Sequence, residues 1–464
     1  MMTGRSTTKL QISGHRFGLR RMRHALVRGD AQMLDDPMRA QALALSVGSV
    51  LAVIGLGVAA VLAFLQPRGA LGDAPIVMVR DTGALYVRID QNLHPVANLA
   101  SARLITASAA KPRLVSSSAV DRAPRGAMLG IPGAPDMIGA PLTHDESEWH
   151  VCEDDSSVST VLAGPVGRTH AAAAGILVSA AGEGAATTYL LFDGRRAKVD
   201  LRNPAVVRAL ALDGVAPRPV TRALLDTVPE VPELAAPAIR DAGAPAPAPL
   251  HGLRVGAVIR VPQTESSQHY AVLRTGVQRI GVVAADLIRF TQPQDAHDIV
   301  TVEPGAIGAV PVVDELPVGE FPERAGTAVD PVVCARWQWA PDSKSVSTGT
   351  VTGDAIPGNA ELRPVGLAHA DAAGARIDAF AMSGGRSAYV RAAGASGDGA
   401  RTGTLFLVND VGVAFGIRDR ETAERLGLTG DPLPAPWPLL ARLPHGPELS
   451  VEAASVAHDG TGTP

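Results

Sequence analysis

Residues able to do chemistry are few and scattered in this 464-residue chain. A phosphate-binding loop needs Gly-rich backbone amides ending in Gly-Lys-Ser/Thr, with the lysine reaching the phosphates. The chain has four lysines, Lys9, Lys111, Lys198 and Lys344, and none follows a glycine. Gly164-Pro-Val-Gly-Arg-Thr169 comes nearest. Its spacing is wrong, arginine replaces lysine, and Pro165 removes a backbone donor. No Gly-x-Gly-x-x-Gly follows a predicted strand, and no His-Glu-x-x-His, Cys-x-x-Cys or Gly-x-Ser-x-Gly occurs. The twelve histidines stand singly. No catalytic residue, cofactor site or metal site is expected. The two cysteines, Cys152 and Cys334, can form a disulfide or stay as two buried free thiols.

The stretch Ala42–Leu65 organises the rest. It carries no charge. As a helix it spans roughly 36 Å, enough to cross a hydrocarbon core of about 30 Å. Asp36-Pro37 supplies an N-cap and a first-turn proline, and Pro67 and Gly69 close the far end. The apolar run is too long for a signal peptide, and no small-residue cleavage site follows it. Gly48, Ala52, Gly55, Ala59 and Ala63 fall on one face of this helix and form a candidate stripe for packing in a membrane complex. A composition rich in Ala and Gly gives the same pattern without any partner.

The flanks set the expected orientation. Arg5, Lys9, Arg16, Arg20, Arg21, Arg23, Arg28 and Arg39 precede the span, and Arg68 stands nearly alone after it. The positive-inside rule puts residues 1–41 in the cytoplasm and the chain after Pro67 outside. Beyond residue 41 there are 34 basic and 43 acidic residues. An acidic outer region argues against nucleic acid as a ligand. It also puts both cysteines in an oxidising compartment, which favours the bridge over the free thiols. Trp149-His-Val-Cys152 and Val332-Val-Cys334-Ala-Arg-Trp337 read as strands, so a bridge would join two strands of one sheet.

Leu19, Met22 and Leu26 recur at helical spacing among arginines in residues 5–28. That is a basic amphipathic helix, suited to an anionic leaflet or an acidic partner. Its charges alone could equally do no more than set topology. Arg16, Phe17, Arg20, Arg21, Met22 and Leu26 are the candidate cytoplasmic docking residues. The order Gln-Ile-Ser-Gly-His-Arg-Phe, Arg-Arg-Met, His-Ala-Leu-Val-Arg, Asp-Pro-Met-Arg-Ala-Gln and one span resembles the EccB component of mycobacterial type VII (ESX) secretion systems. The resemblance runs on to Pro-Ala-Pro-Trp-Pro-Leu-Leu-Ala-Arg-Leu-Pro-His-Gly-Pro near the C-terminus.

The outer region shows a weak internal repeat of strand, tight turn, strand and short helix. Its copies are Ile76–Ile89 with Asn98–Ile105, Tyr189–Asp200 with Asn203–Leu212, Tyr270–Gly281 with Val283–Ile288, and Leu405–Gly416 with Thr422–Leu428. The expected fold is a single transmembrane helix plus an elongated α+β outer region. That region has a central mostly-β domain and about four repeat modules, a layout the resemblance also implies. The division is a cytoplasmic segment at 1–41, the span at 42–65, repeat modules at 66–110, 186–228, 251–292 and 386–430, and central-domain parts at 111–185 and 293–385. Residues 229–250 read as a Pro/Ala linker and 431–464 as a Pro-rich tail with its last ten residues disordered. Leu142–Asp155 reads as an acidic solvated approach to a strand, and Ser383–Gly403 as a mobile Gly-rich loop.

The resemblance implies a single-pass inner-membrane subunit, a homo-oligomer partnered by EccC, EccD, EccE and the mycosin protease. Family members are often labelled ATPases, so an ATP-hydrolysing subunit is the alternative function. A cell-wall-binding anchor is the third.

Overall fold

The computed structural model describes residues 8–29, 37–65, 71–167, 170–171, 175–181, 187–248, 250–263, 266–292, 299–328, 330–358, 362–372 and 374–459. The chain divides into two compact units, Met1–Gly72 and Asp73–Pro464.

The first unit holds two helices, Lys9–Arg28 and Pro37–Leu65. Thr8 starts the first, its backbone N–H donating to the Gln11 side chain at 3.2 Å. Gly29 ends it at φ 66°, a conformation glycine adopts freely, and donates to the Ala25 carbonyl. Pro37 opens the second helix, where its missing N–H costs nothing. Within that helix, Ala40–Val61 is long and apolar enough to cross a membrane. The expected cap Asp36 and the stops Pro67 and Gly69 lie outside the described residues.

Among its described residues the second unit holds five sheets, four of which share one order of pairings. In the first, Ile76–Val79, Leu85–Ile89 and Asn92–Val96 form an antiparallel meander. The helix Leu99–Thr106 follows, and Arg113–Val115 returns parallel to the opening strand. The second sheet runs Ile176–Ala180, Thr188–Phe192, Arg195–Lys198, helix Pro204–Ala209, and Arg218–Val220 parallel to Ile176–Ala180. The third runs Val258–Pro262, Ser267–Val272, Val277–Ile280, helix Val282–Thr291, and Val300–Thr301. The fourth runs Arg386–Ala393, Leu405–Asn409, Ala414–Ile417, helix Arg420–Leu426, and Leu433–Pro436.

Local chemistry explains the turns and caps. Asp193-Gly194 joins two strands with both residues at positive φ, as a two-residue hairpin requires. Asn98, Asn203 and Asp419 each accept a backbone N–H of the helix they start.

The observed unit is larger than a hairpin with a helix. The hairpin read at Ile76–Ile89 comprises the first two strands of its sheet. Those read at Tyr189, Tyr270 and Leu405 comprise the second and third. The opening strands Ile176–Ala180, Val258–Pro262 and Arg386–Ala393 lie ahead of the segments singled out. Arg386–Ala393 occupies the stretch expected to be a mobile loop. Its flanking glycines carry turns, while Ala388, Tyr389 and Val390 between them are buried.

The fifth sheet has seven strands in the order Val365–Gly366, Ala379–Ala381, Ser159–Ala163, Glu148–Glu153, Val332–Ala340, Ser345–Gly353, His170–Ala171. Trp149, Val151, Val333, Ala335 and Trp337 form one face of it. They pack in one core with Leu224 and Leu225 of helix Arg222–Thr227 and with Leu439 and Leu440 of helix Trp437–Leu440. Asp226 joins those helices across to Arg196 at 3.1 Å and Arg442 at 2.6 Å.

The four smaller sheets meet in pairs. Ala100 and Leu104 of the first share a core with Leu426, Phe415 and Ile417 of the fourth. Arg103 donates to the Leu426 carbonyl and Arg425 to the Leu104 carbonyl. Val206 and Ala209 of the second share a core with Val283 and Leu287 of the third, where Arg208 lies over the Phe290 ring.

The expected Pro-rich tail is built into the fold. Leu433–Pro436 is a strand, and Ala457–His458 pairs with Met128–Leu129 in the first sheet, inside the ten residues expected to be disordered. Residues 460–464 lie outside the described residues. Leu439, Leu440, Leu443 and Leu449 are buried. Leu440→Ala should therefore cost about 2–5 kcal/mol of stability, read by denaturant unfolding. A loss below about 0.5 kcal/mol, as at an exposed site, would mean that the segment is not packed.

Candidate assembly surfaces and the central disulfide

Cys152 and Cys334 face each other on adjacent antiparallel strands, Glu148–Glu153 and Val332–Ala340. Their Cα atoms are 4.0 Å apart and the sulfurs are bonded. Both residues are fully buried, in a cluster with Leu162, Val332, Val351, Leu362 and Ala381. Three positions along, Trp149 faces Trp337 on the opposite face of the same strand pair. Between the two cysteines the chain adds Ser159–Ala163 and His170–Ala171 to the central sheet, builds the second and third sheets and returns. The bridge thus ties the strand ahead of this excursion to the strand of return across 182 residues.

Glu153 lies on the Trp149 face of that strand and is buried, so the acidic stretch expected to be solvated runs into the core. Its carboxyl accepts the Thr221 N–H at 3.0 Å and the Thr221 hydroxyl. Burial pushes it up to about 7, against the pull of Thr221 and Arg218. Asp378 is also buried and accepts four hydrogen bonds, from Ser159 N and Oγ and from the backbone of Asp371 and Ala372. His150 is held neutral, down to about 4, by burial first and by Arg336 second. Arg386 holds the Glu146 carboxyl down to about 2. Glu153, Asp378 and Glu146 each tie one chain segment to another.

The nearest approach to a phosphate loop has the wrong setting. A phosphate-binding loop joins a strand to a helix N-terminus. Gly164–Gly167 follows the strand Ser159–Ala163, and the next described element is the strand His170–Ala171. Lys198 is paired with Glu230 at 3.3 Å, and Lys344 sits in the turn between two central strands. No group of three His, Cys, Asp or Glu residues placed to hold a metal occurs among the described residues.

The predicted docking residues all lie on Lys9–Arg28, but not on one face. At about 100° per residue, Leu19, Met22 and Leu26 share a face. Phe17 stands about 160° from Leu19 by the same geometry, among Arg16, Arg20 and Arg21. Phe17, Met22 and Leu26 are exposed by 57%, 63% and 81%. The small residues Gly48, Ala52, Gly55, Ala59 and Ala63 lie on Pro37–Leu65 within an arc of about 80°. Among the described residues, nothing beyond the helix's own backbone lies within 4 Å of where a Cβ at Gly48 or Gly55 would stand. The side chain of Ala63 is outside the described residues.

Sequence reasoning missed Glu153 because its neighbours are acidic. Period-two alternation was the available signal: Trp149, Val151 and Glu153 share a face, whereas His150 and Cys152 share the other.

Residues 4–463 match the family described as "Type VII secretion system ESX-1, transport TM domain B". The chain belongs to the EccB family. It is 36% identical to the Mycolicibacterium smegmatis "ESX-3 secretion system ATPase EccB3", over 98% of this chain and 92% of that one. It is 35% identical to the Mycobacterium tuberculosis "ESX-5 secretion system ATPase EccB5", over 98% and 94%. Among solved structures it resembles a chain of an intact ESX-5 inner membrane complex, with TM-score 0.71, 31% identity and coverage of 100% and 98%. It also resembles the chain of an EccB3 dimer from the ESX-3 core complex, with TM-score 0.70, 33% identity and coverage of 83% and 100%. EccB relatives are thus found in inner-membrane assemblies and as a dimer.

The buried bridge makes a direct prediction. The chain-entropy model gives a closed loop of this length up to about 5 kcal/mol. Cys152→Ser and Cys334→Ser should each lower stability by about 2–5 kcal/mol, and the double variant should be no worse than either. Alkylation of the unreduced, denatured protein should leave both cysteines unlabelled; labelling of both would show that no bridge exists.

Proposed function

We propose that this EccB chain is a non-catalytic, single-pass structural subunit of a type VII secretion inner-membrane complex. The observation that carries the proposal is its full-length likeness to a chain of the intact ESX-5 inner membrane complex. In this reading the helix Pro37–Leu65 crosses the membrane with residues 1–41 in the cytoplasm, as the basic flank favours. The acidic region beyond it stands in the periplasm, where a disulfide can form. Residues 1–41 dock on cytoplasmic partners, and the four smaller sheets act as repeat modules around the central sheet. The family resemblance supplies EccC, EccD, EccE and the mycosin protease as partners. The dimer of a relative supports a second copy of this chain as another.

The names of the relatives favour a second reading, an ATP-hydrolysing subunit. A nucleotide titration of the purified full-length chain separates the two. The structural reading expects no saturable binding; stoichiometric binding abolished by substitution at one defined site would establish the enzyme.

Assembly through the membrane-proximal elements is tested by co-purification from detergent extracts. Deletion of Thr3–Arg28 should leave the protein inserted but unassembled. Gly55→Leu should reduce recovery of the complex, and Val53→Leu, which lies off the stripe, should not. Undiminished recovery with the deletion would reduce the first helix to a topology signal. Equal recovery for the two point variants would reduce the stripe to composition.

A further inference from the structure

The joint between the central sheet and the second sheet turns on one carboxyl group. Glu153 ends the strand Glu148–Glu153 and is 1% exposed. Its two oxygens face Thr221, which caps the helix Arg222–Thr227. The helix packs against the two central strands on that face through Leu224 and Leu225. Thr221 directly follows the return strand Arg218–Val220, so this one contact fixes helix and sheet together.

Few charges act on Glu153. Arg218 of the return strand donates to the carbonyls of Asp330, Pro331 and Glu153 itself and pairs with Asp155 at 3.5 Å. Asp378, ahead of the strand Ala379–Ala381, is held by Ser159 and two backbone amides. The neighbouring strands place Val333 and Ser159 opposite Glu153, neither of them ionisable. On its own segment, Asp154 is turned to Ser156. No cation makes a side-chain ion pair with Glu153 among the described residues.

We propose that Glu153 makes this joint responsive to proton concentration, tighter when the carboxyl carries its proton and looser when it is ionised. The Thr221 hydroxyl serves both states. It accepts the Leu224 N–H and donates to the carboxylate, and on protonation it turns to accept the Glu153 O–H as well, while the Thr221 N–H keeps its acceptor. What changes is the cost of burying a charge with little compensation. The sign follows from proton binding. The folded chain holds this proton up to about pH 7, whereas the unfolded chain releases it near the ordinary 4.5. Between those values the folded state binds more protons, so stability falls as pH rises.

Hydrogen exchange on the full-length chain in detergent micelles tests the proposal, with intrinsic exchange corrected at each pH. Amides of Arg222–Thr227 should lose roughly ten-fold in protection between pH 6 and pH 8.5. The helix Arg420–Leu426 is the internal control, since its cap Asp419 is held well below the usual carboxylate range and stays ionised throughout. In Glu153→Gln the loss at Arg222–Thr227 should vanish. A flat profile in the unmodified protein overturns the proposal, whether or not the variant folds. So does a loss of equal size in Glu153→Gln, or an equal loss in the control helix.

Discussion

The region Asp73–Pro464 depends on one pair of strands. Glu148–Glu153 and Val332–Ala340 lie side by side at the middle of the seven-stranded sheet. One face of the pair carries the buried disulfide, and the other carries Trp149 against Trp337. Cross-strand pairs of this kind set register, because a slip of one residue would turn every side chain to the wrong face. Register matters more here than in a local hairpin. The two strands are separated by all of the second and third sheets, so no short turn aligns them.

From that pair the rest follows outward. The tryptophan face collects the helices Arg222–Thr227 and Trp437–Leu440, one beside the second sheet and one beside the fourth. The fourth sheet then shares its core with the first, and the second with the third. Polar contacts sit at these junctions. Half-buried Asp226 answers Arg196 and Arg442 together, and buried Glu153 answers Thr221. Such contacts penalise misdocking, because a misplaced partner leaves a desolvated polar group unanswered. That is a property suited to a subunit that must present its surfaces in a fixed arrangement.

Much of this was legible in the sequence, and the failures have physical causes. The long apolar helix was legible because an uncharged run of this length matches the thickness of a hydrocarbon core. The hairpins at Ile76, Tyr189 and Tyr270 were legible from Thr-Gly and Asp-Gly turns between apolar runs. The opening strands were not. Val258–Pro262 ends in proline, and Arg386–Ala393 lies in a stretch rich in glycine. The C-terminal segment was misread because proline suggests disorder. Pro434 and Pro436 lie in a strand at the edge of its sheet, and Pro438 lies in a helix's first turn. Those are places where a missing N–H is tolerated.

The central claim is that this EccB chain works as a fixed, membrane-anchored part of a larger assembly. Gentle detergent extraction of the full-length tagged chain from its native membrane, followed by imaging of the purified particles, tests it most directly. The account predicts a large multi-copy particle with one membrane span per copy and the sheet-built regions gathered on a single side. Recovery of the chain as isolated single copies, with no associated membrane proteins, would contradict it.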